Sequence, residues 1–261
     1  MIAACDAIRF IKVQESGRTR PLLLECELTN EQGVWVGNFV VKAKGLPEVE
    51  EYGLFAETLG YLLAAELDIE TPRPSLVNIS DEFAETVNVV LKGHGLSLEP
   101  GLGFGSEHLG SGVVSASADK NLNTEQTAAA IKIFCYDLLV QNYDRRESNP
   151  NCLIKNGRIV AFDFNVAFSF LLTIGKADEP WEVAKHQTDK KHLFYRALKG
   201  KEVDCKPFIN KVSSLSIDRI DEILDAIPFG NGRWDESIRE HFRSVIENAA
   251  KLEIEFARSL L

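Results

Sequence analysis

The first third of the chain alternates short apolar runs with turn-forming residues, which is the pattern of a β-meander. The apolar runs are rich in β-branched and aromatic residues, and the breaks between them contain Gly17, Asn30 and Gly33. The pattern therefore predicts three consecutive strands, at residues 7–13, 21–27 and 34–43.

A helix and a second pair of strands are expected after the meander. Leucine and phenylalanine recur at helical spacing over residues 49–67, and Pro72 and Pro74 prevent the helix from continuing. Beyond the prolines, β-branched residues predict strands at residues 75–79 and 86–91.

A glycine-rich segment separates the two halves of the pattern. Residues 93–112 contain seven glycines and one proline, a composition that favours a connection over a packed element. We therefore place a domain boundary here, with residues 1–98 as a β-rich N-terminal lobe and residues 99–261 as a helical C-terminal lobe. The role of the sequence GLGFGS at residues 101–106 stays open.

The second half begins with a helix and a hairpin. Asn123 and Gln126 fit the N-cap of a helix and its reciprocal partner, and apolar residues follow on one face up to Leu139. Further on, two short β-runs at residues 151–155 and 158–162 are joined by Asn-Gly, the strongest local signal for a hairpin.

The pattern beyond residue 181 is helical. Ser216 can cap a helix that extends to residue 226, and residues 234–260 keep apolar positions along one stripe at helical spacing. Taken together, the elements predict an α+β fold with strands concentrated in the first half and helices in the second.

Composition and charge exclude several classes of protein. Of the 261 residues, 45% are hydrophobic and 26% are charged, which is ordinary for a globular chain, and the net charge is −10. We find no block of lysine and arginine that would follow a phosphate backbone, so we do not expect nucleic acid to be the main ligand. The acidic surface likewise argues mildly against an anionic lipid as substrate.

Cysteine usage and hydropathy indicate the cellular compartment in which the protein is expected. Five scattered cysteines, without a C-x-x-C pair, predict reduced and mostly buried thiols. The N-terminal residues lack a basic segment followed by an apolar core, and no run of about 18 uncharged apolar residues occurs. We therefore expect a cytoplasmic protein that does not contact a membrane.

The chemistry is concentrated in two acidic segments close in sequence. The stretch QNYDRRESNPN at residues 141–151 follows an apolar helix, and Asp163 is the only charge in IVAFDFNVAFSFLL. A buried carboxylate needs a partner, and the predicted hairpin returns Asp163 towards the polar stretch. Aspartate, asparagine five positions later, a hairpin and a second aspartate form the layout of kinase-like folds. In that layout Asp144 acts on the acceptor hydroxyl, and Asn149 and Asp163 hold Mg²⁺.

A kinase also needs a cation for the phosphates of ATP. In NFVVKAKG, Lys42 occupies the position of the strand lysine of V-A-I-K motifs, with Lys44 as the alternative. The helix that follows offers Glu57 as the partner of this lysine, with Glu66 as the alternative.

The turn ESGRTRP resembles a small phosphate-covering loop. Gly17 permits close backbone approach, and Ser16, Arg18 and Thr19 supply hydrogen-bond donors. The sequence GLGFGS lies after the lysine and so does not occupy the position of a nucleotide loop.

Over residues 8–170 these motifs together resemble the HipA-like kinases. The resemblance rests on SGRTRP, NFVVKAKG, TPRP, FGS, NYDRRESNPNCLI and AFDFN. It implies a two-lobed protein-kinase-like fold, whose N-lobe is mainly an antiparallel sheet plus one helix. It also implies use of ATP and Mg²⁺, a protein substrate phosphorylated on serine or threonine, and an antitoxin as a further partner. By position, Asp144 matches the catalytic aspartate, Asn149 and Asp163 the metal ligands, and Lys42 the ATP lysine.

Two residues depart from the family pattern, and other functions use the same motif. Arg146 replaces a histidine that HipA and many relatives have, and Asn165 replaces the glycine of D-F-G. Phosphoinositide kinases share the spacing, so a small-molecule or lipid kinase is the first alternative. A non-catalytic nucleotide-binding or toxin–antitoxin module is the second, and the intact set of four matched residues disfavours it.

Overall fold

The protein has a mixed α+β fold, as expected from the sequence, in which a β-barrel precedes a small sheet and a set of helices. This computed structural model describes residues 2–15, 17–30, 33–117, 121–173, 178–186 and 190–261. Within these residues, no helix combines the length and the apolar character that crossing a membrane requires.

Five strands close into the barrel. In sequence order they are β1 (Ala3–Val13), β2 (Leu22–Asn30), β3 (Gly33–Lys42), β4 (Pro74–Ile79) and β5 (Gly101–Glu107). The order around the barrel is β1-β2-β3-β5-β4, and only the pair β1 with β4 is parallel. The predicted meander is confirmed, but the sheet is closed because β4 pairs with both β5 and β1. Its apolar interior includes Leu22, Leu24, Cys26, Phe39 and Val41.

The glycine-rich segment was expected to be a connection, and for residues 101–107 this prediction is wrong. They form β5, which pairs with β3 and β4. A Cβ atom on Gly103 would lie 2.7 Å from the carbonyl oxygen of Lys42, and one on Gly105 would lie 2.7 Å from Val77 Cγ2. The glycines therefore permit close packing inside the barrel, and this is the structural role of GLGFGS.

The division into domains at residues 98 and 99 stays a prediction. Strand β5, which follows this predicted boundary, is paired inside the barrel.

The strand predicted at residues 86–91 is wrong, since these residues belong to helix α2 (Asp81–Leu91). Ser80 caps this helix by accepting a hydrogen bond from the backbone N–H of Phe83. Ala84, Val87 and Leu91 are buried at helical spacing, whereas Val89 is 75% exposed. The β-branched residues of VNVV suggested a strand, but the N-cap and the burial of one face at helical spacing favour the helix. Residues 1–98 thus contain two helices, α2 and the helix at Glu51–Glu66, rather than one.

Two elements of the second half confirm the sequence analysis and position the site. Helix α3 (Thr124–Leu139) begins with the predicted capping box of Asn123 and Gln126. The predicted hairpin consists of β7 (Cys152–Lys155) and β8 (Arg158–Ala161), and β6 (Val113–Ser115) pairs with β7 to complete a three-stranded sheet.

The helical core includes α1 (Glu51–Glu66), which lies between the barrel and the other helices. The remaining helices are α4 (Tyr195–Leu198), α5 (Lys206–Ser214), α6 (Ile217–Asp225), α7 (Asp235–Glu247) and α8 (Ala249–Ser259). Short 3₁₀ turns occur at Lys92–His94, Ser169–Leu172 and Val183–His186.

Two further expectations concern this core. Ser216 caps α6 as predicted, by accepting from the backbone N–H of Arg219. The stripe over residues 234–260 is divided into α7 and α8 at Asn248, whose side chain donates to the carbonyl of Ser244 and so competes with helical hydrogen bonding. All five cysteines are free and buried, as expected.

Candidate active site

A cleft of about 960 Å³ lies between the barrel and the helical part. The barrel contributes the β1–β2 turn and the end of β3, and α1 forms the back wall. The helical part contributes residues 143–151 and 162–166, which are the two acidic segments singled out in the sequence. The fold therefore brings the predicted chemistry of both halves to one place.

Lys42 joins the two sides of the cleft. Its Nζ lies 2.8 Å from Glu57 Oε2 on α1 and 2.6 Å from Asp163 Oδ1. The alternatives do not share this geometry, because Lys44 is exposed and Glu66 pairs with Arg219 at 2.5 Å. Lys42 and Glu57 thus form the pair expected of a phosphate-binding lysine and its orienting glutamate.

Burial and neighbouring charges have opposing effects on the pKa values of Lys42, Glu57 and Asp163, which we call the triad. Burial alone lowers the pKa of Lys42, but the carboxylates of Asp163 and Glu57 outweigh it and raise the pKa. Burial raises the pKa of Glu57 to about 7, against the opposing effect of Lys42. For Asp163, the charge and hydrogen bond of Lys42 outweigh burial, so its pKa is lowered. Lys42 is therefore fixed as a cation and Asp163 as an anion.

Asp144 and Asn149 face each other across a tight loop. The Asn149 amide nitrogen donates to Asp144 Oδ2 at 2.7 Å, and Arg146 Nη2 donates to Asp144 Oδ1 at 3.1 Å. The backbone groups of Arg146 and Asn149 exchange two hydrogen bonds of 3.0 Å, which close the loop. Because its nitrogen is directed to Asp144, the Asn149 side chain keeps its carbonyl oxygen for another ligand.

A buried arginine that the sequence analysis did not single out holds the loop in place. Arg145 is 0% exposed, and its Nε donates to Asp137 Oδ2 on α3 at 2.5 Å. Its Nη1 donates to the backbone carbonyls of Asn151 and, at 3.0 Å, Phe162. One guanidinium thus connects α3 with the residues that flank Asn149 and Asp163. The sequence shows an arginine next to an aspartate in a polar run, but nothing in that run indicates that the arginine is buried.

Asp137 is the centre of this buried network. Its two oxygens accept from Arg145, from Asn142 Nδ2 at 2.9 Å and from His192 Nε2 at 2.9 Å. Burial raises the pKa of Asp137, but the charge of Arg145 and its hydrogen bond, together with the hydrogen bond of His192, outweigh burial and lower the pKa. The carboxylate is therefore ionised and fully paired.

His192, which the sequence analysis did not single out, is only 6% exposed. While Nε2 donates to Asp137, Nδ1 accepts from the backbone N–H of Phe194 at 3.1 Å. This arrangement requires the neutral ring. Burial lowers the pKa of His192, which outweighs the opposite effect of Asp137. Two lysines precede His192 in the sequence, and its contact with Asp137 on α3 accounts for the burial of the ring.

Phe164 fixes the backbone beside Asp163. Its ring is fully buried and packs edge-on against Tyr61 and Tyr136, with ring centroids 5.2 and 5.7 Å away. It fits against Gly60 of α1, where a Cβ atom would lie only 2.5 Å from Phe164 Cβ. Asp163 itself has a left-handed backbone (φ 63°). Packing of the aromatic side chain therefore fixes the direction of the carboxylate.

The β1–β2 turn lies over the cleft as far as it is described. Gly17, Arg18 and Thr19 line the cleft, and Gly17 has φ 93°, a conformation that favours glycine. Ser16, the fourth residue predicted in this turn, lies outside the described residues. The position of the turn fits the predicted phosphate-covering role, which stays a prediction.

The donor set of the cleft fits Mg²⁺. Lys42 contacts Asp163 through Oδ1, the Asp163 carboxylate lines the cleft, and Asn149 offers its carbonyl oxygen. Oxygen donors of this kind, few in number, suit Mg²⁺ that is also bound by phosphates and water. In the part of the chain that the structure describes, the amide nitrogen of Asn151 at the edge of the cleft is buried without a hydrogen-bond partner. This N–H group can donate a hydrogen bond to an oxygen of a bound ligand, but it cannot itself coordinate a cation.

The comparison with protein families agrees with this geometry. The model of the family described as HipA-like kinase matches residues 7–258, which is nearly the whole chain. The chain belongs to the HipA-like kinase family. Membership supports a kinase-like function and extends the resemblance seen in the motifs through the C-terminal helices.

Solved structures support the fold of this HipA-like kinase. It is similar to the crystal structure of the Helicobacter pylori proinflammatory kinase CtkA, with a TM-score of 0.53 and 13% sequence identity over 98% of each chain. At this identity the likeness concerns the fold alone. A search of curated protein sequences finds no significant match.

Proposed function

We propose that this HipA-like kinase transfers the γ-phosphoryl group of ATP to a hydroxyl group, with Mg²⁺, on a two-lobed protein-kinase-like fold. The observation that carries the proposal is the meeting, in one cleft, of the Lys42–Glu57–Asp163 triad and the Asp144–Asn149 pair. Phosphoryl transfer needs positioning and charge neutralisation, and these five side chains supply both.

Asp144 acts on the acceptor. Its carboxylate is 29% exposed towards the cleft, so it can accept a hydrogen bond from an incoming hydroxyl. The hydroxyl oxygen forms a bond to the γ-phosphorus, the bond to the bridging oxygen breaks, ADP leaves, and the proton passes to Asp144. Asn149 and Arg146 hold the carboxylate in position for this step.

The other residues bind the nucleotide. Lys42, oriented by Glu57, places its positive charge where phosphate oxygens enter the cleft. Asn149 and Asp163 would hold Mg²⁺, which when bound supplies positive charge to the phosphate oxygens. Val40, Leu153 and Phe162 provide apolar lining for the adenine ring.

A transfer assay tests the proposal. The purified protein is incubated with Mg²⁺ and ATP labelled at the γ-phosphate, together with an ATP-depleted and dephosphorylated cell extract as a source of acceptors. We expect label on serine or threonine of a protein, with a loss of about 100-fold or more in Asp144→Asn. Wild-type transfer by Asp144→Asn, or transfer without Mg²⁺, would contradict the assigned roles.

A further inference from the structure

A second groove of about 520 Å³ adjoins the cleft beside Asp144. One wall consists of residues 146–148 of the loop that carries Asp144 and Asn149. The other consists of residues 190–193 together with Arg196 of α4. Arg146 and Ser148 line both the groove and the main cleft, so the two are continuous. We refer to it as the basic groove.

The lining of the basic groove is positively charged, whereas the protein as a whole is negatively charged. Arg146, Lys190, Lys191 and Arg196 line it, against Glu147 as the one carboxylate of the lining, in a chain whose net charge is −10. Arg196 is 70% exposed while it pairs with Glu147 at 3.3 Å, and both lysines are exposed. An acidic protein that concentrates cations beside its reactive carboxylate creates a local field that attracts anions.

The shape of the groove is set by buried structure. Arg146 and His192 form a β-bridge, and the backbone N–H of Leu193 donates to the carbonyl of Arg145 at 3.0 Å. His192 itself is hydrogen-bonded to buried Asp137. The cationic wall is therefore held at a fixed position relative to Asp144 by the same network that positions the loop.

We propose that the basic groove binds an acidic segment of the protein acceptor and so directs its serine or threonine to Asp144. This inference rests on the proposed function and specifies the substrate class. The groove joins the cleft at Arg146 and Ser148, beside Asp144. A peptide with glutamate or aspartate next to the acceptor residue would place these carboxylates near Arg146, Lys191 and Arg196. The neutral ring of His192 adds no charge of its own.

Peptide binding without nucleotide tests the proposal independently of catalysis. The probe is a fluorescein-labelled peptide with a central serine flanked by glutamates, followed by fluorescence anisotropy, with a lysine-flanked peptide for comparison. We expect binding of the acidic peptide only, and an affinity about tenfold lower in Lys191→Glu/Arg196→Glu. The matched control is Lys12→Glu/Lys92→Glu, which reverses two exposed lysines of the barrel part and should bind as wild type does.

Three results would overturn the proposal. The first is failure of the wild type to bind the acidic peptide at low salt, and the second is equal binding by both double variants. The third is displacement of the peptide by a single-stranded oligonucleotide of equal charge as effectively as by unlabelled peptide, which would indicate a general polyanion surface. A parallel titration of the wild type with a non-hydrolysable ATP analogue and Mg²⁺ distinguishes failure of this proposal from failure of the proposed function. If the wild type does not bind the nucleotide, the kinase function is contradicted. If it binds the nucleotide but not the acidic peptide, only the proposed role of the basic groove is contradicted.

Discussion

Arg145 is the residue on which the geometry of the candidate active site depends most. It is fully buried, its charge is balanced by Asp137, and it binds the carbonyl oxygens of Asn151 and Phe162. A buried charge is stable only with such compensation, and removal of one partner costs far more than the pair contributes. Arg145 is therefore a positioning residue for both acidic segments.

Arg145→Met should strongly destabilise the protein, since it leaves the Asp137 carboxylate buried without its cation. We expect urea denaturation to show a loss of about 3–5 kcal/mol in the free energy of unfolding. The neighbouring Arg146→Met is the matched control, because Arg146 is 45% exposed and its pair with Asp144 is worth about 1 kcal/mol or less. Equal losses in the two variants would contradict the role of the buried network.

His192 predicts how stability depends on pH. Its pKa is lowered by burial from the ordinary 6.5, so below pH 6.5 the unfolded chain binds a proton that the folded protein does not. Stability contributed by this difference is present above pH 6.5 and is lost as pH falls. Melting temperatures between about pH 7.5 and 5 should therefore decline more steeply in wild type than in His192→Gln. Parallel curves would show that His192 does not titrate as inferred.

The local sequence indicates the candidate site residues more readily than the residues that support them. Asp144, Asn149 and Asp163 are recognisable because their spacing follows from a short loop and a hairpin. Arg145 and His192 occur in polar, charged stretches that resemble surface segments. Their burial depends on Asp137 of α3, which lies 8 residues from Arg145 but 55 from His192. Contacts over such separations leave no local pattern.

At the scale of elements, α1 links the barrel to the candidate metal ligand through Gly60. The absence of a side chain at this position lets Phe164 pack directly against the helix, and Tyr136 of α3 donates to the carbonyl of Gly60 at 2.6 Å. Glu57, one turn earlier, holds Lys42. One face of α1 therefore determines where both Lys42 and Asp163 lie.

Gly60→Ala and Gly53→Ala, both in α1, should differ in their effect on stability. The new methyl group at residue 60 would meet the Cβ of Phe164 at 2.5 Å, so we expect a loss of roughly 1–3 kcal/mol in unfolding free energy. At residue 53 the nearest atoms are 3.9 Å away, and the higher helix propensity of alanine should leave stability unchanged or raise it by up to about 1 kcal/mol. Thermal and urea unfolding of the two variants measure the difference. Similar stabilities would contradict the tight packing of Phe164 on α1.

Elements with a dedicated local signal could be predicted, and those determined by tertiary pairing could not. The capping box at Asn123 and the Asn-Gly hairpin carry their information within a few residues. In contrast, β5 is rich in glycine and becomes a strand only because β3 and β4 pair with it on both sides. Helix α2 contains β-branched residues, and burial of Ala84, Val87 and Leu91 decides its type.

At the scale of the whole molecule, the candidate site exists only where the two parts meet. The Lys42–Asp163 ion pair crosses the cleft, and a hydrogen bond of 2.6 Å from Tyr52 of α1 to the carbonyl of Ala167 connects α1 with the segment that follows Asp163. ATP phosphates would compete with Asp163 for Lys42, and Mg²⁺ would compete with Lys42 for Asp163. Nucleotide binding should therefore depend on both Mg²⁺ and Asp163. Asp144 contacts the acceptor in the proposed mechanism and should not be needed for nucleotide binding.

Calorimetric titration with a non-hydrolysable ATP analogue tests this requirement most directly. It is carried out with and without Mg²⁺ on wild type, Asp163→Ala and Asp144→Asn. We predict micromolar binding by wild type that needs Mg²⁺, loss of this binding in Asp163→Ala, and retention in Asp144→Asn. Absence of binding by wild type with Mg²⁺, or undiminished binding by Asp163→Ala, would contradict the account.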